Sequence, residues 1–293
     1  VRDTFTLPDI HPDTPPCELQ VFNAGFCRAK HHHLVKNKPK TTMKIPALFF
    51  LIQHPVAGNL LFDTGYSTRF YAYTATFPFS LMSAITPVHI TDQENAATQL
   101  KAIGIAPEEI RHVLLSHLHV DHSGGVQDFK HARFFVDCKE WEFGQRAAWR
   151  LLLNGYIKKL YDQIPLSKRT LLHFEKNGTP YGPFKHTIDL FQDGSIILIS
   201  LPGHSIGQYG LLLNQPSGKR FFLLADAVYL NENYRTLTTG SWWSRLAHFN
   251  YKQMISWFSL FKQLEQNHPY LICIPSHDPA AYERFVVSSS SIR

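Results

Sequence analysis

Ser116-His117-Leu118-His119-Val120-Asp121-His122-Ser123-Gly124-Gly125 gathers three imidazoles and a carboxylate on one short stretch. The apolar run Val113-Leu114-Leu115 just before it reads as a buried strand. The Gly pair that closes it lets the backbone bend sharply. His nitrogen and Asp oxygen are the ligand set of zinc and similar divalent ions. His117 and His119 alternate along an extended segment, so both face one point. Asp121 and His122 face a second point close by. Such an arrangement suits two ions sharing one water, which two-metal hydrolases hold about 3.5–4 Å apart. The chain has 17 His, so a stray pair would mean little. A full His-x-His-x-Asp-His directly behind a buried strand carries more weight, pending its structural context.

Working outward, further metal-binding residue types stand at the ends of other apolar runs. Leu201-Pro202-Gly203-His204-Ser205 follows Ile196-Ile197-Leu198-Ile199. Leu223-Leu224-Ala225-Asp226 ends a second run, and Ile272-Cys273-Ile274-Pro275-Ser276-His277-Asp278 ends a third. Upstream lies Leu60-Leu61-Phe62-Asp63-Thr64-Gly65. Five motifs in this order, over about residues 45–280, resemble the signature of the metallo-β-lactamase superfamily. The resemblance implies an α/β fold, the αβ/βα four-layer sandwich with two packed sheets and helices outside. No linker divides the chain, so residues 1–293 read as a single domain with an irregular, Pro- and Asp-rich lead-in at 1–16. Carried over position by position, the resemblance gives His117, His119 and His204 to one ion. It gives Asp121, His122 and His277 to the other, with Asp226 bridging. Asp63 supports the ligands from behind without binding metal. Zinc is the default, with manganese, iron and cobalt as alternatives. Two such ions would bring a shared water toward neutral pKa and polarise the carbonyl under attack. Asp121 would orient the resulting hydroxide and pass a proton to the leaving group.

Tyr229 narrows the substrate. It stands three residues after Asp226, in Asp226-Ala227-Val228-Tyr229. The N-acyl-homoserine lactonases of the superfamily look similar here, with a Tyr hydroxyl that contacts the lactone carbonyl. A phenol there is a neutral donor to a developing oxyanion; the plain alternative is a packed aromatic at a strand end. The implied activity is opening of N-acyl-homoserine or similar acylated lactones, that is, quorum quenching. The alternatives are another hydrolase on the same site, acting on esters, thioesters or phosphotriesters, and a non-catalytic metal-binding protein. The segment from His122 to His204 is longer than in those lactonases, which leaves acyl preference open. A homodimer is an analogy with the family only.

Composition excludes little but bounds the partners. The 44% hydrophobic content is ordinary for a globular protein. The net charge is +6 and the pI about 9.1. Basic residues concentrate in 28–44, which also carries His31-His32-His33 and reads as a solvated loop. No nucleic-acid-binding module is visible, so mild attraction for anions is the expected consequence. Four Cys, at 17, 27, 138 and 273, form no Cys-x-x-Cys pair; whether Cys17 and Cys27 bridge stays open. No apolar run is long enough for a membrane helix, and no signal peptide is visible. The cytoplasm is the expected compartment, with export left open because the chain begins at Val1 without Met.

Several elements matter for the site. Glu18–Cys27, Ile45–His54 and Asn59–Phe62 read as strands, and 28–44 as a loop. Residues 66–90 read as a long aromatic loop. Phe70, Phe77, Phe79 and Met82 from it are expected to form an apolar substrate wall, against the plainer reading of a local hydrophobic cluster. Asp92 is a plausible N-cap for a helix to Ile103, and Lys139–Ile164 is helical in composition, with Asn154-Gly155 as a possible break. Leu171–Phe174, Thr187–Phe191, Ile196–Ser200, Gly210–Leu213, Phe221–Leu224 and Tyr270–Ile274 read as strands, and Tyr251–Leu264 as a helix.

Overall fold

Every residue from Ala47 to Ile52 is buried, which a strand manages only when both faces of its sheet are covered. The computed structural model, which describes residues 5–287 apart from residue 153, shows what covers them. A first sheet holds β1 (Glu18–Lys30), β2 (Thr42–His54), β3 (Gly58–Phe62), β4 (Val88–His89), β5 (Ile110–Leu114), β6 (Arg133–Asp137) and β7 (Arg169–Leu172). Their order across the sheet is β4-β1-β2-β3-β5-β6-β7. A second holds β8 (Thr179–Tyr181), β9 (Phe184–Asp189), β10 (Ile196–Ser200), β11 (Tyr209–Asn214), β12 (Arg220–Ala225) and β13 (Leu271–Pro275), in the order β13-β12-β11-β10-β9-β8. β3, β5, β6 and β7 run parallel, as do β12 and β13; the other paired strands are antiparallel.

Side chains alternate across each strand, and the two sets go to different layers. Leu48, Phe50, Ile52, Leu60, Phe62 and Leu114 face the second sheet and meet Leu198, Leu211, Leu213, Leu223 and Ile274. Phe49, Leu51, Leu61 and Val113 face outward onto a helical layer with Leu100, Trp141, Phe143 and Tyr156. On the far side, Ile197, Ile199, Leu212, Phe222 and Leu224 meet Met254, Phe258, Phe261 and Leu264. Those four form the apolar stripe of the helix Tyr251–Asn267, whose first turn is capped by the Asn250 side chain accepting from Gln253 N at 3.1 Å. Burying each such side chain contributes about 1.5–3 kcal/mol. The result is helix, sheet, sheet, helix: the four-layer α/β sandwich.

Some elements depart from the sequence reading. The basic stretch 28–44 is no simple loop. β1 continues to Lys30, which pairs with Thr42, and a single helical turn, His31–Leu34, joins the two strands. The ladder extends because it is made of backbone groups, whatever the side chains. Residues 66–90 are folded into helices Arg69–Tyr73 and Ser80–Ile85 and the short β4. Asp92 is not a cap. Thr91 and Glu94 close a box around a 3-10 turn, the helix Ala96–Ala102 starts after Asn95, and Asp92 accepts from Thr68 Oγ1 at 2.8 Å. The segment 139–164 is broken into Cys138–Gly144, Ala148–Leu152 and a turn at Lys158–Leu160. The break expected at Asn154-Gly155 is present, with Gly155 at φ 82° in the left-handed region where a helix cannot continue; the break after Gly144 goes beyond the sequence reading. β7 ends at Leu172, and Phe174 opens a short helix instead. All four cysteines are free.

Candidate metal centre

Five strand ends converge on one point between the sheets. Asp63 follows β3, the 116–125 stretch follows β5, His204 follows β10, Asp226 follows β12 and His277 follows β13. Two of the turns are strained. Asp63 and Ala225 have φ of 62° and 48°, positions that non-glycine residues seldom occupy and that cluster at functional sites. Gly203 is required by its neighbours: a Cβ there would lie 2.6 Å from Met254 N. It lets the His204 loop lie flat on the long helix, where Asn250 N donates to Gly203 O at 2.7 Å.

The expected ligands gather in three overlapping groups. One atom each from His117, His119 and His204 lie within 4.8 Å of one another. The same holds for Asp121, His122 and His277, and for His117, His122 and Asp226. His204 Nε2 is 2.9 Å from His119 Nδ1 and 3.3 Å from Asp226 Oδ2. His277 Nε2 is 3.1 Å from Asp226 Oδ2 and 3.3 Å from Asp121 Oδ2. Meanwhile His117 Nε2, His122 Nε2 and Asp226 Oδ1 are buried without a hydrogen-bond partner. Buried polar atoms without partners are rare in folded proteins. Here they are nitrogen and carboxylate atoms pointing at one another, which is the donor chemistry of a divalent metal site.

Behind the ligands, a second set of contacts fixes each ring. His122 Nδ1 donates to Asp63 Oδ2 at 2.8 Å, and Asp63 also accepts from Ser116 N and Oγ at 2.8 Å each. His277 Nδ1 donates to Pro46 O at 2.7 Å. His117 Nδ1 meets Ser116 Oγ at 3.0 Å. His204 Nδ1 lies 3.0 Å from His248 Nδ1 and 3.2 Å from the Tyr229 hydroxyl. The outer nitrogen is engaged in each case, so Nε2 is turned toward the cluster.

The cluster is electrically divided. Burial opposes charge on His122, but Asp226, Asp63 and Asp121 overcome it and push its pKa up to about 10. Burial likewise opposes charge on His277, and Asp226 and Asp121 raise it well above the usual value. Burial holds His117 and His204 well below theirs; the neighbouring histidines add to this, while Asp226 works against it. Burial would raise Asp226 and Asp121, yet the surrounding histidines keep both carboxyls below the ordinary range. Both carboxylates therefore stay ionised at neutral pH.

Comparison with known proteins follows the same line. A family model for the metallo-beta-lactamase superfamily matches residues 45–267. The chain belongs to the metallo-beta-lactamase superfamily. His277 lies beyond the matched span, so its place rests on the structure. The N-acyl homoserine lactonase AttM of Rhizobium radiobacter is 30% identical over 220 residues, covering 74% of this chain and 78% of that protein. An N-acyl homoserine lactonase from Bacillus sp is 24% identical over 218 residues, covering 74% and 78%. Among solved structures, an N-acyl homoserine lactone hydrolase with N-hexanoyl-L-homoserine bound at its catalytic metal centre superposes with a TM-score of 0.70. The match covers 96% of this chain and 97% of that one, at 20% identity. AidC, a dizinc quorum-quenching lactonase, superposes with a TM-score of 0.63 at 16% identity, covering 94% and 92%. These two likenesses speak for the superfamily fold.

Beside the cluster, this superfamily member has a cavity of about 580 Å³. Its floor is His119, Asp121, His204, Asp226, Tyr229 and His277. The expected aromatic wall is placed elsewhere. Phe70 is buried in the core beneath Tyr66, Phe77 is 80% exposed, and Phe79 and Met82 pack on the first core cluster. None of the four lines the cavity. The same segment supplies Tyr66, Ile85, Thr86 and Pro87 instead, and Leu34 and Ile45 add further apolar surface. Phe70, Phe79 and Met82 are taken up by the core and Phe77 turns to solvent, so other side chains of the segment are left to line the cavity.

Three residues had no sequence signal. Glu140 is fully buried and accepts from Leu118 N at 3.0 Å, Tyr156 Oη at 2.6 Å and Gly207 N at 3.0 Å, tying the His119 loop to the His204 loop. His248 backs His204. Tyr66 places a second phenol in the cavity wall, and burial and nearby Asp121 keep it protonated. Among the described residues, no helix is long and apolar enough to cross a membrane.

Proposed function

We propose that this protein is a lactonase that opens N-acyl-homoserine lactones or similar acylated lactones, working as one domain with two divalent ions, zinc by default. His117, His119 and His204 would hold one ion, and Asp121, His122 and His277 the other, with Asp226 shared. The ions supply an acidified water and a Lewis acid for the carbonyl. The observation that carries the lactone assignment is Tyr229. Its hydroxyl is 3.2 Å from His204 Nδ1 and borders the cavity. Burial, with Asp226 and Asp121 nearby, raises its pKa well above the usual value. It is therefore a neutral donor beside the metal cluster, placed to hydrogen-bond a lactone carbonyl oxygen and the oxyanion that forms from it. Asp121, ionised and lining the same cavity, is placed to take a proton from the attacking water and return it to the ring oxygen as the ring opens. Leu34, Ile45, Ile85 and Pro87 offer apolar surface for an acyl chain. The named activities of the relatives support the same reading.

The test is turnover by metal-loaded protein across a panel of acyl-homoserine lactones, simple esters, a thioester and a phosphotriester, with metal content measured in parallel. Lactones are expected to give the highest kcat/KM, at about two ions per chain. A higher value for the thioester or phosphotriester would overturn the lactone assignment, and full activity with one tightly bound ion would overturn the two-ion site.

A further inference from the structure

The mouth of the cavity differs from the rest of the protein in charge and polarity. Three stretches build it: the end of β1 with the following helical turn, the segment from helix Ser80–Ile85 to Pro87, and the turn Trp242–Ala247. Arg28, Lys30, His33, Ile85, Thr86 and Ser244 from these stretches all border the cavity. The chain has 23 Asp and Glu, yet residues 28–44, 66–91 and 233–264 contain none. The first of these stretches carries Arg28, Lys30, Lys36, Lys38, Lys40 and Lys44. Lys38 is paired with Glu232; Arg28, Lys36, Lys40 and Lys44 are exposed. Among the described residues, the only carboxylates bordering the cavity are Asp121 and Asp226 at its floor.

Large apolar side chains stand out into solvent on, and just before, two of the stretches that border this cavity. Leu81 and Ile85 are 50% and 81% exposed and lie four residues apart, on one face of their helix. Phe77, just before that helix, is 80% exposed, and Trp242, which opens the turn Trp242–Ala247, is 58% exposed. Isolated exposed apolar residues need no explanation, but several on and beside stretches that border one cavity point to an interaction surface. Cations interspersed with protruding apolar groups suit the interface of an anionic bilayer, where electrostatic attraction and insertion of apolar side chains act together. A nucleic acid would use the cations and leave Phe77 and Leu81 without a role.

We propose that the rim of the cavity docks peripherally on anionic phospholipid surfaces, with Phe77 and Leu81 inserted among the lipid chains and Lys36 and Lys40 over the headgroups. The cavity then opens onto the membrane, where an amphiphilic substrate with an acyl chain concentrates. The docking stands independently of the lactone assignment, because it is read without turnover.

Co-sedimentation of the full chain with phosphatidylcholine vesicles, with and without phosphatidylglycerol, tests it. Binding is expected only when phosphatidylglycerol is present, and is expected to weaken as salt is added. Lys36→Glu with Lys40→Glu, and separately Phe77→Ser with Leu81→Ser, should each lower the partition coefficient on the order of tenfold or more. Both pairs should leave the thermal unfolding midpoint and the far-UV circular dichroism of the chain unchanged, which shows that they fold. Absence of binding to phosphatidylglycerol vesicles at low salt would overturn the proposal. So would salt-sensitive binding that ignores the Phe77 and Leu81 changes, the signature of a plain polyanion site. Sedimentation showing that Phe77 and Leu81 instead join two copies of the chain, with no vesicle binding, would overturn it as well.

Discussion

His122 and His204 sit in one cluster, both buried, both turned by Nε2 toward Asp226, yet they are held in opposite ways. Behind His122 stands a fully buried carboxylate, Asp63, itself fixed by Ser116. Behind His204 stand two neutral groups, the His248 ring and the Tyr229 phenol. Asp226 and then Asp63 favour positive charge on the His122 ring against its burial, whereas on His204 burial wins and charge is strongly disfavoured. A carboxylate partner also makes an imidazole a stronger base and metal donor than a neutral partner does. The two halves of the site should therefore differ in grip on their ions, the Asp63 side being the firmer.

The largest effect should come from removing what the halves share. Asp226→Ala takes a carboxylate from both, so elemental analysis should show less of each ion and turnover should fall near background. Retention of one ion at full occupancy would mean that Asp226 serves one half only. Next comes Asp63→Asn, which keeps the shape but removes the charge behind His122. Metal affinity should fall about 10–100-fold. Stability of the metal-free chain should fall by about 3–5 kcal/mol, because a buried pair loses one partner. Chelator competition and thermal unfolding read the two effects separately.

Tyr229→Phe belongs to the other half and should act differently. The ring stays packed against His204 and His248, with centroids 5.6 and 5.4 Å away, and the ions should stay bound. Loss of one donor to a developing oxyanion has cost about 10²–10³ in kcat elsewhere, but bound ions would carry much of that charge. About ten- to hundredfold in kcat, with little change in KM, is therefore expected on lactones. Equal kcat in both proteins would leave Tyr229 a packing residue and remove the main ground for preferring lactones.

The contrast between the halves also shows what a sequence makes legible. Asp63 announced itself, since Asp-Thr-Gly at the end of an apolar run is a local pattern. The same holds for the residues at the ends of β5, β10, β12 and β13: a strand end fixes where a side chain goes. His248 had no such marker. It reaches His204 because Phe249 N donates to His204 O at 2.9 Å, a backbone bond across 45 residues that side-chain pattern does not encode. Glu140 sits in Lys139-Glu140-Trp141-Glu142, part of a segment that reads as helical with nothing to mark this carboxylate for burial; only the loops folded over it explain its burial. The rim was misread for a related reason. Which aromatic of 66–90 enters the core and which faces outward depends on the helices that segment forms, and those short helices left no clear periodicity.

The smallest expected effect tests the weaker half directly. His248→Asn replaces the ring behind His204 with a shorter amide. Affinity for metal should fall by about tenfold, the low end of what such supporting contacts are worth, because Tyr229 still meets His204 Nδ1. Its signature is in the pH dependence of the metal-free chain. Burial lowers the His248 pKa to about 4, against about 6.5 for an unfolded histidine. Between those values the unfolded chain binds a proton here that the folded chain does not, so stability rises with pH across the window and is lost as pH falls through it. The full contribution would be on the order of 3 kcal/mol. Wild type and His248→Asn share every other titrating group of the cluster, so subtracting their stability curves isolates this one. Denaturant unfolding from pH 4 to 7 should show a shallower acid loss in His248→Asn, by up to about one proton of slope. Parallel curves would mean that His248 is not held neutral by the fold, and the division of the cluster into a charged half and a neutral half would fail on its neutral side.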